Sequence, residues 1–484
     1  MSHSSQSPKA SKPVRRDIPI ARRLADFAAG LAADQLPAPV IAAARLHFLD
    51  ALGVGLAAAS LQTQPRIGDA IRVLGTGAEA TGIGLVEPIP APSAALLNGS
   101  LIHALEFDDT HMAAVVHASA VAAPAALAVA EREHCTGAQL LTAYVLGWEV
   151  LARIGLSGPT AFHARGFQST AVAGAPVAAL VAGSLAGLDV DMLCNAMGIA
   201  GSQAGGIFEF IADGSTVKMM HGGWPAHAGI VAVALAQAGL TGPATVFEGE
   251  RGILRAFTSD SDCAERFAGE LDDLGTRWLI EQAAFKAYPC CHYLQAAIEC
   301  LAGILARGIP AESISRVICE LPEEVAWLVC EPWSEKLHPP SGHVAKFSLP
   351  YCLAAMIADG DVDVDTFDRQ SVDPRLVAMG ERVQYAPMKH SGFPQRYAAS
   401  IRVETFKGGM YEEQVLDVQG SASRPFSSAD VEAKFRRNAG RLLMPEAVDV
   451  VVDAVVHLDT ALSLDVLTSA VRLHRPSRSG GMTR

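Results

Sequence analysis

Apolar residues recur at helical spacing through the first part of the chain. Arg23–Ala33 and Val40–Ala58 both show the pattern, separated by Pro37 and Pro39. Val121–Glu131, Thr136–Ile154, Thr170–Ala186 and Val190–Gly201 continue it. Gly222–Ala238 follows and is stopped by Gly239-Leu-Thr-Gly242-Pro243. Period-two alternation is nearly absent from Ile18 to Trp278, so this stretch predicts helix after helix.

The pattern changes after Trp278. Val317-Ile-Cys-Glu-Leu is strand-like. Tyr397–Phe406 and Met410–Val418 alternate around Lys407-Gly408-Gly409, which predicts a β-hairpin. Helices are expected at Leu294–Arg307 and Phe347–Ala358. From Ser427 the chain is helical again: Ser427–Ala439 opens on an N-cap signature, and Pro445–Val456 follows. The expected fold class is mainly α, a large all-helical domain with an inserted smaller α+β lid domain. Its parts are the helical domain at 18–278, the α+β unit at 279–422 and a helical return at 423–473. The polar, Ser-rich and basic residues 1–17 predict a disordered tail, and the basic, Gly/Ser-rich residues 474–484 a loose one.

Composition sharpens this picture. Of 484 residues, 50% are hydrophobic and only 6% aromatic, so a large core must be built from small side chains that let helices approach closely. The net charge of −13 argues against a nucleic-acid partner, while leaving room for a locally basic site. Nine cysteines without a framework fit a reduced, cytoplasmic compartment. The uncharged runs Met112–Ala130 and Gly166–Leu188 approach the length of a membrane span. They are rich in Ala, Gly, Ser and Thr, and each holds a proline, so they predict buried helices and no membrane.

Several short motifs carry little chemistry. Gly75-Thr-Gly77-Ala-Glu-Ala80 superficially fits a nucleotide-binding fingerprint, but no strand-then-helix context surrounds it, and a turn is expected. Cys290-Cys291-His292 lacks the ligand spacing of zinc or iron–sulfur sites. Lys286, amid apolar residues, either reaches out to solvent or clamps an anion. Lys218 and His221 precede Gly222-Gly223, where backbone can approach a ligand closely.

The densest chemistry lies in His103-Ala-Leu-Glu-Phe-Asp-Asp-Thr-His111, closing at His117. Burying so many ionisable groups is costly unless they are paired or used. On a helix, His103, Glu106 and Thr110 would share one face, with Asp108 and Asp109 pointing elsewhere to cap or brace. The alternative is a solvated acidic turn.

This segment resembles the signature of the MmgE/PrpD family, which includes 2-methylcitrate dehydratases, cis-aconitate decarboxylases and iminodisuccinate epimerases. Further motifs follow in order: Phe162-His163, Lys218-Met-Met-His221-Gly-Gly, Phe285-Lys286-Ala-Tyr-Pro-Cys-Cys291 and Lys346-Phe-Ser-Leu-Pro-Tyr351. The resemblance implies a homodimer with an active site between its two domains, acting on a small polycarboxylate without cofactor or metal. Carried over by position, the catalytic residues are Glu106, Thr110, His117 and His163, and the substrate-binding residues are Lys218, Lys286 and Cys291. The family commonly has aspartate where this chain has Glu106, and some of its decarboxylases have histidine at the position of Cys291.

Such reactions develop charge next to a carboxylate, which cationic groups must neutralise. Lys218 and Lys286 suit that task. His117 suits proton transfer, with His163 as its partner, and Glu106 and Thr110 would orient them. The expected activity is a lyase, with a 2-methylcitrate dehydratase-like hydro-lyase placed first. A cis-aconitate decarboxylase-like carboxy-lyase and an iminodisuccinate epimerase-like isomerase are the alternatives.

Overall fold

In this computed structural model, residues 18–61, 67–71, 73–369 and 371–473 are described. The tails expected at 1–17 and 474–484 lie outside the described residues.

Small residues decide how the helices meet. The first core is built on α1 (Ile20–Gly30), α2 (Ala38–Ser60), α3 (Ala91–His103), α4 (Ser119–Arg132), α5 (Gly137–Ser157), α6 (Ser169–Leu185), α7 (Val190–Gly201) and α8 (Met220–Gln237). A Cβ added at Gly99 of α3 would lie 2.7 Å from Gly223 Cα, and one at Gly223 would lie 2.1 Å from the Leu96 carbonyl oxygen. Helices α3 and α8 therefore touch backbone to backbone, which side chains larger than hydrogen would prevent.

The helix ends follow local chemistry. Thr136 caps α5 in a capping box with Gln139, and Pro39 sits in the first turn of α2. The two uncharged runs fold mostly into α4 and α6, whose residues are almost all buried. Among the described residues two helices, α2 and α5, are long and apolar enough to cross a membrane, yet 72% and 89% of their most apolar stretches are buried inside the fold. They are core helices by burial. Residues Gly75–Glu79 form neither helix nor turn but an irregular stretch that ends in a bridge from Ala80 to Ile89, so the fingerprint lacks its helix and the turn expected there is not formed.

A second core lies around a four-stranded sheet of order β2-β1-β3-β4. Its strands are β1 (Ile314–Pro322), β2 (Val383–Met388), β3 (Ala399–Thr405) and β4 (Met410–Val415). The hairpin β3–β4 is antiparallel and turns through Gly408, at φ 82°. β1 pairs antiparallel with β3 and parallel with β2. β2 is a strand the sequence pattern did not predict. Helix α9 (Gln295–Leu305) packs on β3 and β4, and α10 (Leu349–Asp359) packs on α9.

The chain then returns to the first core. Ser427 caps α11 (Ser428–Ala439) in a box with Asp430, and α12 is Pro445–Val456. Phe435 of α11 packs onto Gly53 of α2, where an added Cβ would come within 2.9 Å of its ring. Among the described residues the fold is mainly helical with one small sheet.

Candidate active site

Helix α3 stops at His103, and the next fifteen residues run as turns and isolated bridges. Glu106 has φ 56°, a left-handed conformation unusual for a residue with a side chain. This corrects the expectation that His103, Glu106 and Thr110 share a helical face. The turn at Glu106 re-aims the segment, and Thr110 instead pairs with Ala284 through N–H···O bonds of 2.9 and 2.8 Å. Neither is it a solvated turn, since His103, Glu106, Asp108, Asp109 and Thr110 are all buried.

Two distant lysines hold this segment in place. Lys346 Nζ donates to the carbonyl of Ala104 and Lys434 Nζ to that of Phe107, both at 3.0 Å, on either side of Glu106. Lys434 also pairs with Asp50 at 2.8 Å and lies 3.9 Å over the Phe107 ring. Burial lowers Lys346 to about 8.

Asp108 and Asp109 divide their work. Asp109 braces, as anticipated for one of the pair. Its carboxylate accepts from Ser119 Oγ and lies 2.9 Å from His47 Nδ1. Asp108 faces the chemistry, contrary to the helical expectation. Its Oδ2 is 2.7 Å from His103 Nδ1 and 3.6 Å from His117 Nδ1, and its Oδ1 is 3.6 Å from Lys286 Nζ. Burial alone raises a carboxyl, but His103, His117 and Lys286 hold Asp108 well below the usual range.

One cavity gathers all the predicted site residues. Glu106, Thr110, His117, His163 and Lys218 come to it from the helical side, and Lys286 and Cys291 from the loop before α9. Tyr397 lines it too, and its hydroxyl donates to the carbonyl of Met112 at 2.8 Å, joining the two sides.

Lys218 sits in the short 3-10 turn Thr216–Met219 that leads into α8. Its ammonium is bound to the carboxylate of Glu106, and it lies 5.2 Å from the centroid of the Phe347 ring. Burial pushes Glu106 up, but Lys218, then Lys286 and His103, outweigh it and bring the carboxyl to about 2. Both buried carboxylates are therefore ionised at neutral pH.

His117 and His163 are neutral. Nδ1 of His117 is 2.9 Å from the carbonyl oxygen of Asp109, which can only accept, so Nδ1 carries the proton and Nε2 is the bare base. Thr110 Oγ1 is 3.2 Å from the same nitrogen. Burial brings His117 down to about 3 and His163 to about 4. His163 has Nε2 3.3 Å from Ser169 Oγ, and its ring meets Phe208 edge-on. Burial pushes the Cys291 thiol up to about 12, so it is neutral and a poor nucleophile.

His103, Asp108 and His117 offer ligand atoms within 4.8 Å of one another, a set of the right types for a cation. The Lys286 ammonium beside Asp108 opposes a further positive charge there.

Sequence reasoning missed Asp108 and His292 as members of the site, and also its aromatic wall. Phe208, Tyr293, Trp327, Phe347 and Tyr397 all line the cavity, in a chain with only 6% aromatics. That scarcity was the available signal. His221, paired with Lys218 in the sequence motif, is buried but does not line the cavity.

Two family models match this chain. The MmgE/PrpD N-terminal domain matches residues 22–266, and the MmgE/PrpD C-terminal domain matches residues 288–459. The chain belongs to the MmgE/PrpD family. It is 26% identical over 471 residues to a cis-aconitate decarboxylase-like protein of Aspergillus oryzae, covering 93% of this chain and 97% of that one. It is 26% identical over 463 residues to the cis-aconitate decarboxylase of Mus musculus, with 92% and 91% of the two chains covered. It is 27% identical over 461 residues to the cis-aconitate decarboxylase of Homo sapiens, with 92% of each chain covered.

Proposed function

We propose that this protein is a lyase that decarboxylates a small polycarboxylate, of the cis-aconitate decarboxylase type, by proton transfer between side chains and substrate. The observation that carries the reading is the convergence of Lys218, Lys286, His117 and His163 on one buried cavity. The relatives' names favour the carboxy-lyase over the hydro-lyase expected first, because they match almost end to end.

The chemistry follows from the groups present. In cis-aconitate the bond from the methylene carbon to its carboxylate breaks, and carbon dioxide leaves. The freed electron pair forms a new double bond to the central carbon. The old π pair moves to the outer carbon, which takes a proton. Negative charge grows on the remaining carboxylates, where the ammonium groups of Lys218 and Lys286 stabilise it in a low-dielectric cavity. His117 is the proton donor once the substrate's charge has raised its basicity, and Asp108, 3.6 Å from its Nδ1, supports the imidazolium. His163 is its partner, and Thr110 orients the His117 ring. Glu106 fixes Lys218, and the α+β unit acts as the lid that excludes water.

The test is incubation of the purified protein with cis-aconitate, 2-methylcitrate and iminodisuccinate in parallel. Release of carbon dioxide from cis-aconitate supports the proposal. A new alkene band from 2-methylcitrate without carbon dioxide would return the hydro-lyase to first place, and scrambled stereochemistry of iminodisuccinate would favour the epimerase.

A further inference from the structure

The loop that carries Lys286 is pinned from behind by one amide. Gln295 Oε1 accepts from the N–H groups of Ala287 and Tyr288, each at 3.0 Å. Its Nε2 donates to the carbonyls of Tyr288 at 2.9 Å and Cys290 at 3.3 Å. Lys286 and His292 flank this pinned stretch, and both line the cavity. Their positions are set by the fold before any ligand arrives.

Both side chains are buried and lack hydrogen-bond partners. Lys286 is 0% and His292 5% exposed. Neither the Lys286 Nζ nor either ring nitrogen of His292 has a hydrogen-bond partner among the described residues. Buried polar atoms are seldom left this way, because each has lost its water without gaining a bond. Lys218 is different, since its ammonium is already bound to Glu106. The His292 ring is fixed edge-on to Tyr397, with centroids 5.2 Å apart. Burial first, then the charge of Lys286, lowers His292 well below the ordinary histidine range, with Asp108 acting the other way. An incoming anion would reverse that balance. The adjacent Cys291 thiol is neutral and a weak donor, so it cannot supply the same contact.

We propose that Lys286 and His292 form a carboxylate-binding subsite, in which the ammonium and an imidazole N–H together grip one carboxylate of the substrate. The substrate class rests on the function proposed above, while the subsite is tested by binding alone. His292 is thus a substrate contact, and Cys291 beside it contributes shape.

The probe is tricarballylate, a tricarboxylate with neither a double bond nor a hydroxyl to react. Its binding to wild type, His292→Phe and His292→Asn is measured by titration calorimetry, alongside KM and kcat with cis-aconitate. Phenylalanine keeps the ring packing on Tyr397 and removes the polar nitrogens. Asparagine loses the ring and keeps an N–H donor. The expected result is at least about tenfold weaker binding and a similarly raised KM for the Phe variant, the loss of one charge-assisted hydrogen bond, with most affinity retained by Asn. A Phe variant that binds within about twofold of wild type, or an Asn variant weaker than Phe, overturns the subsite. A wild type that binds tricarballylate but releases no carbon dioxide from cis-aconitate refutes the proposed reaction and leaves the subsite standing. No binding by wild type overturns the subsite, while carbon dioxide release alone decides the reaction.

Discussion

Glu106 and Lys218, 112 positions apart in the chain, are joined as a buried ion pair in the wall of the cavity. Removing one partner strands the other charge out of water. Lys218→Met is expected to destabilise the protein by about 3–5 kcal/mol, and the double variant with Glu106→Gln to recover much of that loss. Denaturant unfolding of the two single variants and the double variant checks this as a cycle. Equal stability of wild type and Lys218→Met would show that the pair is not closed in solution. Turnover should be lost in all three, because the cationic group at that position is gone or its position is no longer held.

His117→Ala should lower kcat by about two to four orders of magnitude, the usual worth of a positioned acid or base, with an unchanged thermal midpoint. Thr110→Val should have a smaller effect in the same direction, since it removes only the hydroxyl beside Nδ1. Full activity in His117→Ala would sink the assignment of the proton donor.

Substrate binding should be linked to proton uptake. His117 and His163 are held down to about 3 and about 4 in the free protein, so both are neutral at pH 7. A polyanion in the cavity raises both, and a group whose basicity rises on binding favours binding at lower pH. Affinity for tricarballylate should therefore fall as pH rises from about 6 to 8, with protons taken up, the more so the nearer the raised values come to this window. Calorimetry in buffers of different ionisation enthalpy reads the uptake directly. Affinity that is flat with pH, with no buffer dependence, would contradict it.

Acid should weaken the fold in two stages. His111 and His221 are buried and His117, His163 and His343 partly so, and desolvation brings all five down to between about 3 and about 4. Unfolded, each takes a proton below its ordinary value of 6.5, so their contribution is present above that pH and is lost as pH falls through 6.5 toward 4. Glu106, at about 2 against an ordinary 4.5, adds stability above 4.5 that is lost only as pH falls further toward 2. Thermal midpoints measured from pH 8 to 4 should start dropping near pH 6.5. A midpoint constant down to pH 5 would refute the neutral state of these five histidines in the folded protein.

The sequence pattern revealed the features whose cause is local. The hairpin around Gly408 and the helix Pro445–Val456 are written in turn residues, caps and periodicity, and both are where they were expected. Strand β2 was not legible. It is an edge strand with only Val383 buried and with Pro387 inside it, so it shows neither alternation nor a clean run. In the site, the residues carried over from the family all reach the cavity, while the helical geometry drawn around Glu106 failed. No glycine marks the left-handed turn there. The carbonyl grips of Lys346 and Lys434 hold it, from positions that no local window of sequence contains. His292 was hidden for a related reason. Next to two cysteines it reads as part of a metal motif with the wrong spacing, and only its lack of partners in three dimensions sets it apart.

The backbone contact between α3 and α8 has a consequence for how substrate choice can change. Glu106 follows the end of α3 and Lys218 precedes the start of α8, so the two helices that touch through Gly99 and Gly223 carry the two halves of the ion pair. That half of the cavity behaves as a single rigid casting. Any mutation that adds even a methyl group at the glycines shifts the whole pair at once. The opposite wall, made of a loop and aromatic side chains, has no such constraint. New specificities in this architecture are therefore more readily reached by exchanging side chains around 286–293, 327–328, 347 and 397 than by altering the acid–lysine pair.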